Sequence, residues 1–322
     1  MKEDRRKFLQ LLARTAAVGA VTAAGALLLH NRTPRHDRVL NVSLPDFREG
    51  LREPENSMSI VEGGDTYWAV DKAIEALGGM DRFVNPGDIV VVKPNVGFDR
   101  PPSFGATTSP DMVESVVRLC LKARARHVYV VDNPINNPSR CFTVSGIGAA
   151  VENAGGTVMT PDRINHGVIE LGGTVIPSWT GLAGIFRNAD RLIGIPTVKD
   201  HNLAGISVTM KNWYGFLGEG RNAFHQRLHE VIADLAAAFT PTLVIVDGTR
   251  SLIRNGPTGG SISDVIETGQ IAAGLDQVAL DSWAAELMGR WGADIPSLKL
   301  AVDKGVGRVD WRSLEPVRVS SA

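Results

Sequence analysis

The chain has 322 residues, with 34 Lys and Arg against 35 Asp and Glu, a formal net charge of −1 at pH 7. That balance excludes the basic footprint of a dedicated nucleic-acid binder, and 43% hydrophobic against 21% charged residues excludes wholesale disorder. Two cysteines, Cys120 and Cys141, exclude a disulfide framework and fall short of the four thiolates of an iron–sulfur cluster, so they either pair or stay free.

Residues 1–30 read as an address. Arg5 and Arg6 precede Phe8 and Leu9, and an apolar run follows from Thr15 to Leu29. This is the pattern of a twin-arginine export signal. It predicts the twin-arginine export machinery as a partner and a periplasmic or otherwise extracytoplasmic location. The run is short for a membrane span of about 20 residues. Ala24-Gly25-Ala26 offers a cleavage site, with an uncleaved N-terminal anchor as the alternative. Residues 31–60 are polar and broken by Pro34, Pro45 and Pro54, which reads as a linker and wrapping segment. Residues 61–322 are left for one α/β domain, or two lobes sharing a core.

Within that domain Tyr67 to Leu77 is amphipathic and stops at Gly78-Gly79, a helix with a glycine terminator. Ile89 to Val92 is an apolar strand. Ser109-Pro110-Asp111 has the form N-cap, proline, first-turn acid and opens a helix to about Arg124. His127 to Val131 reads as a strand, Gly146 to Ala154 as a helix, and Thr157 to Thr160 and Leu192 to Ile195 as strands. A long helix over Ala223 to Phe239, a strand over Leu243 to Val246 and a helix over Val278 to Met288 complete the series. Continuous Val/Ile runs separated by helices predict an α/β fold, with a mostly parallel sheet, helices on both faces, and a Rossmann-like arrangement.

Ligands of such sheets sit at the carboxyl ends of the strands. Four apolar runs leave the core into polar groups there: Lys93-Pro94-Asn95, Asp132-Asn133, Thr197-Val198-Lys199-Asp200-His201 and Asp247-Gly248. Lys93, Lys199 and the nearby Lys211 form a candidate set of ammonium groups for a carboxylate or phosphate, or for a lysine whose lowered pKa makes it a base. His225 and His229 stand four apart and would share a helix face, a weak metal-site signal that needs a third ligand. No His-Glu-x-x-His, P-loop or Gly-x-Ser-x-Gly occurs, and Gly146-Ile147-Gly148 lacks the third glycine of a dinucleotide fingerprint.

Taken in order, several segments resemble one known series. They are Val92-Lys93-Pro94-Asn95, Thr107-Thr108-Ser109-Pro110, Val131-Asp132-Asn133, Lys199-Asp200-His201, Met210-Lys211-Asn212-Trp213-Tyr214-Gly215, His225, Ile245-Val246-Asp247-Gly248, Asn255-Gly256-Pro257 and Ala279-Leu280-Asp281. That series resembles the domain-of-unknown-function 362 family over roughly residues 60–290. Many relatives add a ferredoxin-like module; this chain, with two cysteines, departs from them. It also has Ser109 and Asp200 where the family usually has histidine and threonine. The resemblance lends weight to Lys93, Asn95, Asp132, Lys199, His201, Lys211, Asn212 and Asp247.

The resulting expectation is an exported enzyme acting on a small anionic substrate. His201, Lys199 and Asp247 are its catalytic candidates, with His201 as general acid/base oriented by Asp200 or Asp247. Lys93, Asn95, Asp132, Lys211 and Asn212 would bind substrate, and His225 and His229 would help hold a divalent metal if one takes part. An iron–sulfur cluster and a dinucleotide are not expected. The alternatives are a non-catalytic envelope binding protein, or an accessory protein for an exported redox or iron–sulfur enzyme.

Overall fold

A computed structural model describes residues 40–52 and 56–321, and the twin-arginine segment lies outside them. In chain order the strands are β1 (Leu40–Ser43), β2 (Met58–Glu62), β3 (Ile89–Pro94), β4 (His127–Val131), β5 (Thr157–Met159), β6 (Gly167–Glu170), β7 (Ser178–Gly181), β8 (Arg191–Ile195), β9 (Thr197–His201), β10 (Gly205–Ser207), β11 (Leu243–Leu252), β12 (Val265–Gly274) and β13 (Val317–Ser320). The helices are α1 (Thr66–Glu75), α2 (Pro110–Lys122), α3 (Pro138–Val144), α4 (Ile147–Asn153), α5 (Thr209–Asn212), α6 (Leu228–Ala238), α7 (Gln277–Leu287) and α8 (Pro296–Asp303).

The Val/Ile-rich strands are buried on both sides, and their alternation splits them between two cores. Val90 and Val92 of β3 join α1, α2 and α4 on one face of the large sheet. Val91 points to the other, where α6 and α7 pack around Trp213, Phe216 and Phe239. Each such side chain removed from water contributes about 1.5–3 kcal/mol, so helices on both faces follow from the apolar runs. Residues from Leu40 onward form one compact unit. Cys120 and Cys141 are separate, buried free thiols.

The large sheet has the order β13-β2-β12-β11-β8-β3-β4-β5, with β9 and β10 attached through β11. It is mixed, which corrects the expectation of a mostly parallel, Rossmann-like sheet. The stretch β11-β8-β3-β4-β5 is parallel. β12, however, runs antiparallel to both β11 and β2, and β9 and β10 form a hairpin. β12 escapes the sequence pattern because its first half is partly exposed and carries Glu267, Thr268, Gly269 and Gln270 rather than an apolar run. A smaller sheet, β1-β6-β7, stands apart from it.

Two local differences bear on the site. Thr197 to His201 is strand β9 rather than a loop. The helix expected from Ala223 begins only at Leu228; residues 221–227 form a 3-10 turn. Arg221 anchors that turn by donating to the carbonyls of Asn133, Pro134, Tyr214 and Leu217.

Along the chain, β3, β4 and β5 step outward in one direction, and β8 and β11 in the other. The carboxyl ends of β3 and β8 therefore diverge at a topological switch point, with Lys93 beside Gly194 and Pro94 beside Ile195. Open α/β sheets bind ligands at such a place.

Candidate functional site

A cleft of about 260 Å³ opens at this switch point. Lys93, Asn95, Asp132, Lys199, His201, Lys211, Asn212 and His225 all line it. Of the remaining sequence candidates, His229 and Asp247 do not.

Three elements deliver the three lysines. Lys93 is the penultimate residue of β3. Lys199 and His201 project from the same side of β9, two residues apart, as strand alternation requires. Lys211 and Asn212 belong to α5, whose first amides at Thr209 and Met210 donate to the buried Asp281 carboxylate at 2.7 and 3.1 Å. Burial pushes the Asp281 carboxyl up to about 7, against those hydrogen bonds.

The lysines differ in how completely they are partnered. The Lys93 ammonium is fully buried and contacts the Pro94 carbonyl (2.6 Å), Asn212 Oδ1 (3.0 Å) and Asp132 Oδ1 (2.9 Å). An ammonium has three protons, so this group is saturated. Burial lowers its pKa and the Asp132 carboxylate opposes that shift. Asp132 is equally engaged, also accepting from the amides of Val96 (2.6 Å) and Asn133 (2.8 Å). Gly215 packs on this pair: a Cβ there would run into Asp132 Oδ1 and the end of Lys93.

Lys199 has two partners, Asn95 Oδ1 at 2.8 Å and the Ala106 carbonyl at 2.7 Å. Burial, followed by the Lys211 charge, brings it down to about 7. Lys211 has no hydrogen-bond or ion-pair partner among the described residues. Its ammonium lies 5.0 Å from the Tyr214 ring centre, and burial with the nearby Arg221 charge lowers it to about 8.

His201 is held differently from the sequence expectation. Asp200 points to the opposite side of β9, where it accepts from the Gly256 amide (2.9 Å) and pairs with Arg290 (2.6 Å). Asp247 accepts from the Ser109 amide (2.7 Å) and from Thr249, so its carboxylate stabilises the start of α2. Neither orients the imidazole. Instead His201 Nδ1 accepts from the amides of Leu203 (3.3 Å) and Ala204 (3.2 Å), which leaves the ring proton on Nε2. Burial, then the Lys211 and Lys199 charges, depresses this histidine to about 3. It is a neutral N–H donor rather than a base.

Asn95 and Asn212 connect the lysines: Asn95 Nδ2 donates to Asn212 Oδ1 (3.1 Å), and Asn212 Nδ2 donates to the Lys93 carbonyl (3.1 Å). Thr108 stitches β3 to β8, donating to the Ile195 carbonyl and accepting from the Asn95 amide. His225 lies at the exposed rim, where its Nδ1 meets the Asn222 carbonyl at 2.8 Å. His229 Nδ1 is buried and unpartnered. The 3-10 turn separates these histidines, and no group of three or more His, Cys, Asp or Glu is placed to hold a metal ion among the described residues.

Two lining residues were not singled out from sequence. Tyr214 stood in the motif series unnoticed; its hydroxyl is buried, has no partner, and is pushed upward in pKa by burial. Arg221 follows Gly218-Glu219-Gly220, and nothing in its local pattern marks it.

Residues 90–286 match the family described as domain of unknown function (DUF362). The chain is also 28% identical over 251 residues to a thylakoid-associated protein of Synechocystis sp., covering 74% of each chain.

Proposed function

We propose a function for this chain as what it is, a member of the DUF362 family: it binds a small anion at the β3–β8 switch point and acts on it chemically. The observation that carries the reading is the grading of the three lysines. Lys93 is saturated, and Lys211 is a half-buried cation with no carboxylate opposite it among the described residues. A desolvated, unpaired ammonium is costly to keep, and a carboxylate or phosphate in the cleft relieves that cost.

Asp132 is the one acid lining the cleft among the described residues, and Lys93 and two amides already engage it. The cleft therefore carries an excess of positive charge. A capture protein would need Lys211 alone. The amine at Lys199, titrating near neutrality beside a neutral imidazole, supports turnover, because a base works best with a pKa near the operating pH.

In this reading Lys211 holds the anion, Lys199 exchanges a proton and His201 donates through Nε2. Asn95 and Asn212 keep the amines in place, and the Lys93–Asp132 pair is the support beneath them. Export through the twin-arginine route belongs to the same proposal. It rests on Arg5, Arg6, Phe8 and Leu9, and the thylakoid association in the relative's name agrees with a role at or across a membrane.

The test is thermal unfolding with inorganic phosphate, oxalate and malonate, in the unmodified chain and in Lys211→Gln. A ligand that binds only the folded state raises the melting temperature. A rise with one of these anions that vanishes in a Lys211→Gln protein no less stable than the unmodified chain supports the reading. No rise with any of them, or an equal rise in the variant, rejects it.

A further inference from the structure

The arrangement around Lys199 and His201 narrows the reaction. A neutral amine has two N–H bonds and one lone pair. Asn95 Oδ1 and the Ala106 carbonyl accept two N–H bonds, and the third position has no hydrogen-bond acceptor among the described residues, with the Phe98 ring centre 5.1 Å from the nitrogen. Protonation turns that lone pair into a third N–H without disturbing the other two. The site therefore accommodates both protonation states of Lys199, as proton transfer requires.

His201 supplies the complementary group. Two backbone amides fix Nδ1 as an acceptor and place the proton on Nε2, which has no partner among the described residues and is available to a ligand oxygen. A neutral imidazole donating to a carbonyl oxygen stabilises an enolate without first giving up its proton.

Cleft donors with no hydrogen-bond partner among the described residues include the Lys211 ammonium, His201 Nε2–H and the hydroxyls of Tyr214 and Ser207. They suit one carboxylate and one carbonyl oxygen. The Arg221 guanidinium also lines the cleft but already donates to four backbone carbonyls, which leaves it little for the bidentate grip that phosphate takes.

We propose that Lys199 removes a proton from the carbon next to the carbonyl of a small 2-oxo carboxylate held by Lys211, an inference that rests on the anion-binding reading above. The C–H bond breaks and its proton forms the third N–H of Lys199. The electron pair becomes the C=C bond of the enolate, whose oxygen accepts from His201 Nε2–H. Return of the proton to the same carbon regenerates the keto form, so the step needs no oxidant, reductant or second substrate.

Pyruvate in D2O is the probe, with loss of its methyl proton signal followed by NMR. Oxalate, which has the carboxylates but no C–H bond, reports binding alone through thermal unfolding. The expected result is exchange at least tenfold above the buffer rate. It should fall to the buffer rate in Lys199→Met, as removal of a general base requires, while the oxalate shift is kept. Lys199→Arg is the second variant. It retains the donors but has no accessible lone pair, and should be equally inactive.

Exchange at the background rate in a chain that oxalate stabilises overturns this inference and leaves the anion reading standing. Exchange undiminished in both lysine variants also overturns it. Absence of an oxalate shift overturns this inference, and absence of a shift with phosphate and malonate as well removes the anion reading with it.

Discussion

Two cavities open near the carboxyl ends of the central strands, and the larger is chemically the quieter. The second, of about 450 Å³, lies where α1 and α2 begin and is bordered by Asp65, Ser109, Asp111, Thr249, Arg250 and Glu267. Several of its polar groups already have protein partners, and Asp111 is exposed to solvent. Asp65 accepts from the Trp68 amide, Ser109 from the Met112 amide, and Arg250 pairs with Glu267. Asp247, directly behind it, takes the Ser109 amide. The switch-point cleft is smaller, yet it holds a cation without a counter-ion, an imidazole N–H without an acceptor and an amine with one open position. Ligand chemistry is marked here by unsatisfied groups, and neither volume nor the number of polar residues finds it.

The strongest way to break the comparison is to disturb the saturated part of the cleft. Lys93→Met leaves the Asp132 carboxylate buried and uncompensated, and should cost about 3–5 kcal/mol in denaturant unfolding. Asp132→Leu in the same chain should recover much of that loss. If the single variant unfolds like the unmodified chain, Lys93 is not the strut described here.

The pH dependence comes next. The folded pKa of Lys199 lies near 7, below its ordinary value of 10.5, so the unfolded chain binds more protons between those values. Stability should therefore rise with pH across that window. The cost of burying the charge is present in full below pH 7 and relieved above it, by an amount on the order of a few kcal/mol. The Lys211 and Lys93 charges deepen the shift and Asp132 opposes it. Lys199→Met should flatten the slope in urea titrations run from pH 7 to 10; an unchanged slope would assign it to another group.

Asp247→Ala acts on the other side of the comparison. It leaves the buried Ser109 amide without its acceptor and should cost about 1–3 kcal/mol. Any oxalate-induced rise in melting temperature should stay intact, and its loss would move Asp247 into the site. The smallest loss of stability belongs to Lys211→Gln: it gives up the Tyr214 ring contact but also an unopposed ammonium, so the variant should be at least as stable as the unmodified chain. The same change should abolish the oxalate shift, the largest functional effect for the least structural disturbance.

Much of this was legible in the residues themselves. The runs at Ile89–Val92, His127–Val131, Leu192–Ile195 and Leu243–Val246 specify buried strands, because four or five consecutive β-branched or aliphatic residues fit a sheet covered on both faces. Ser109-Pro110-Asp111 specified the start of α2 through local capping chemistry. The strand-exit argument selected Lys93, Asn95, Asp132, Asn133, Lys199 and His201, which line the cleft. Both Asp247 and the paired use of His225 with His229 were less well served, since a carboxylate's partner and a helix boundary depend on what the rest of the chain brings near them.

The sequence by itself determined which residue types stand at the strand ends and that helices cover both faces, since these follow from burial and from local periodicity. Only the tertiary structure decided the direction of β12, the neutral state of His201 and the ranking of the three lysines. A lysine's chemistry is set by how many acceptors reach its nitrogen and how far water is excluded. For Lys93 and Lys199 those acceptors come from Asn212, Asp132, Asn95 and Ala106, up to 119 positions away along the chain. For Lys211, the decisive fact is that none arrives.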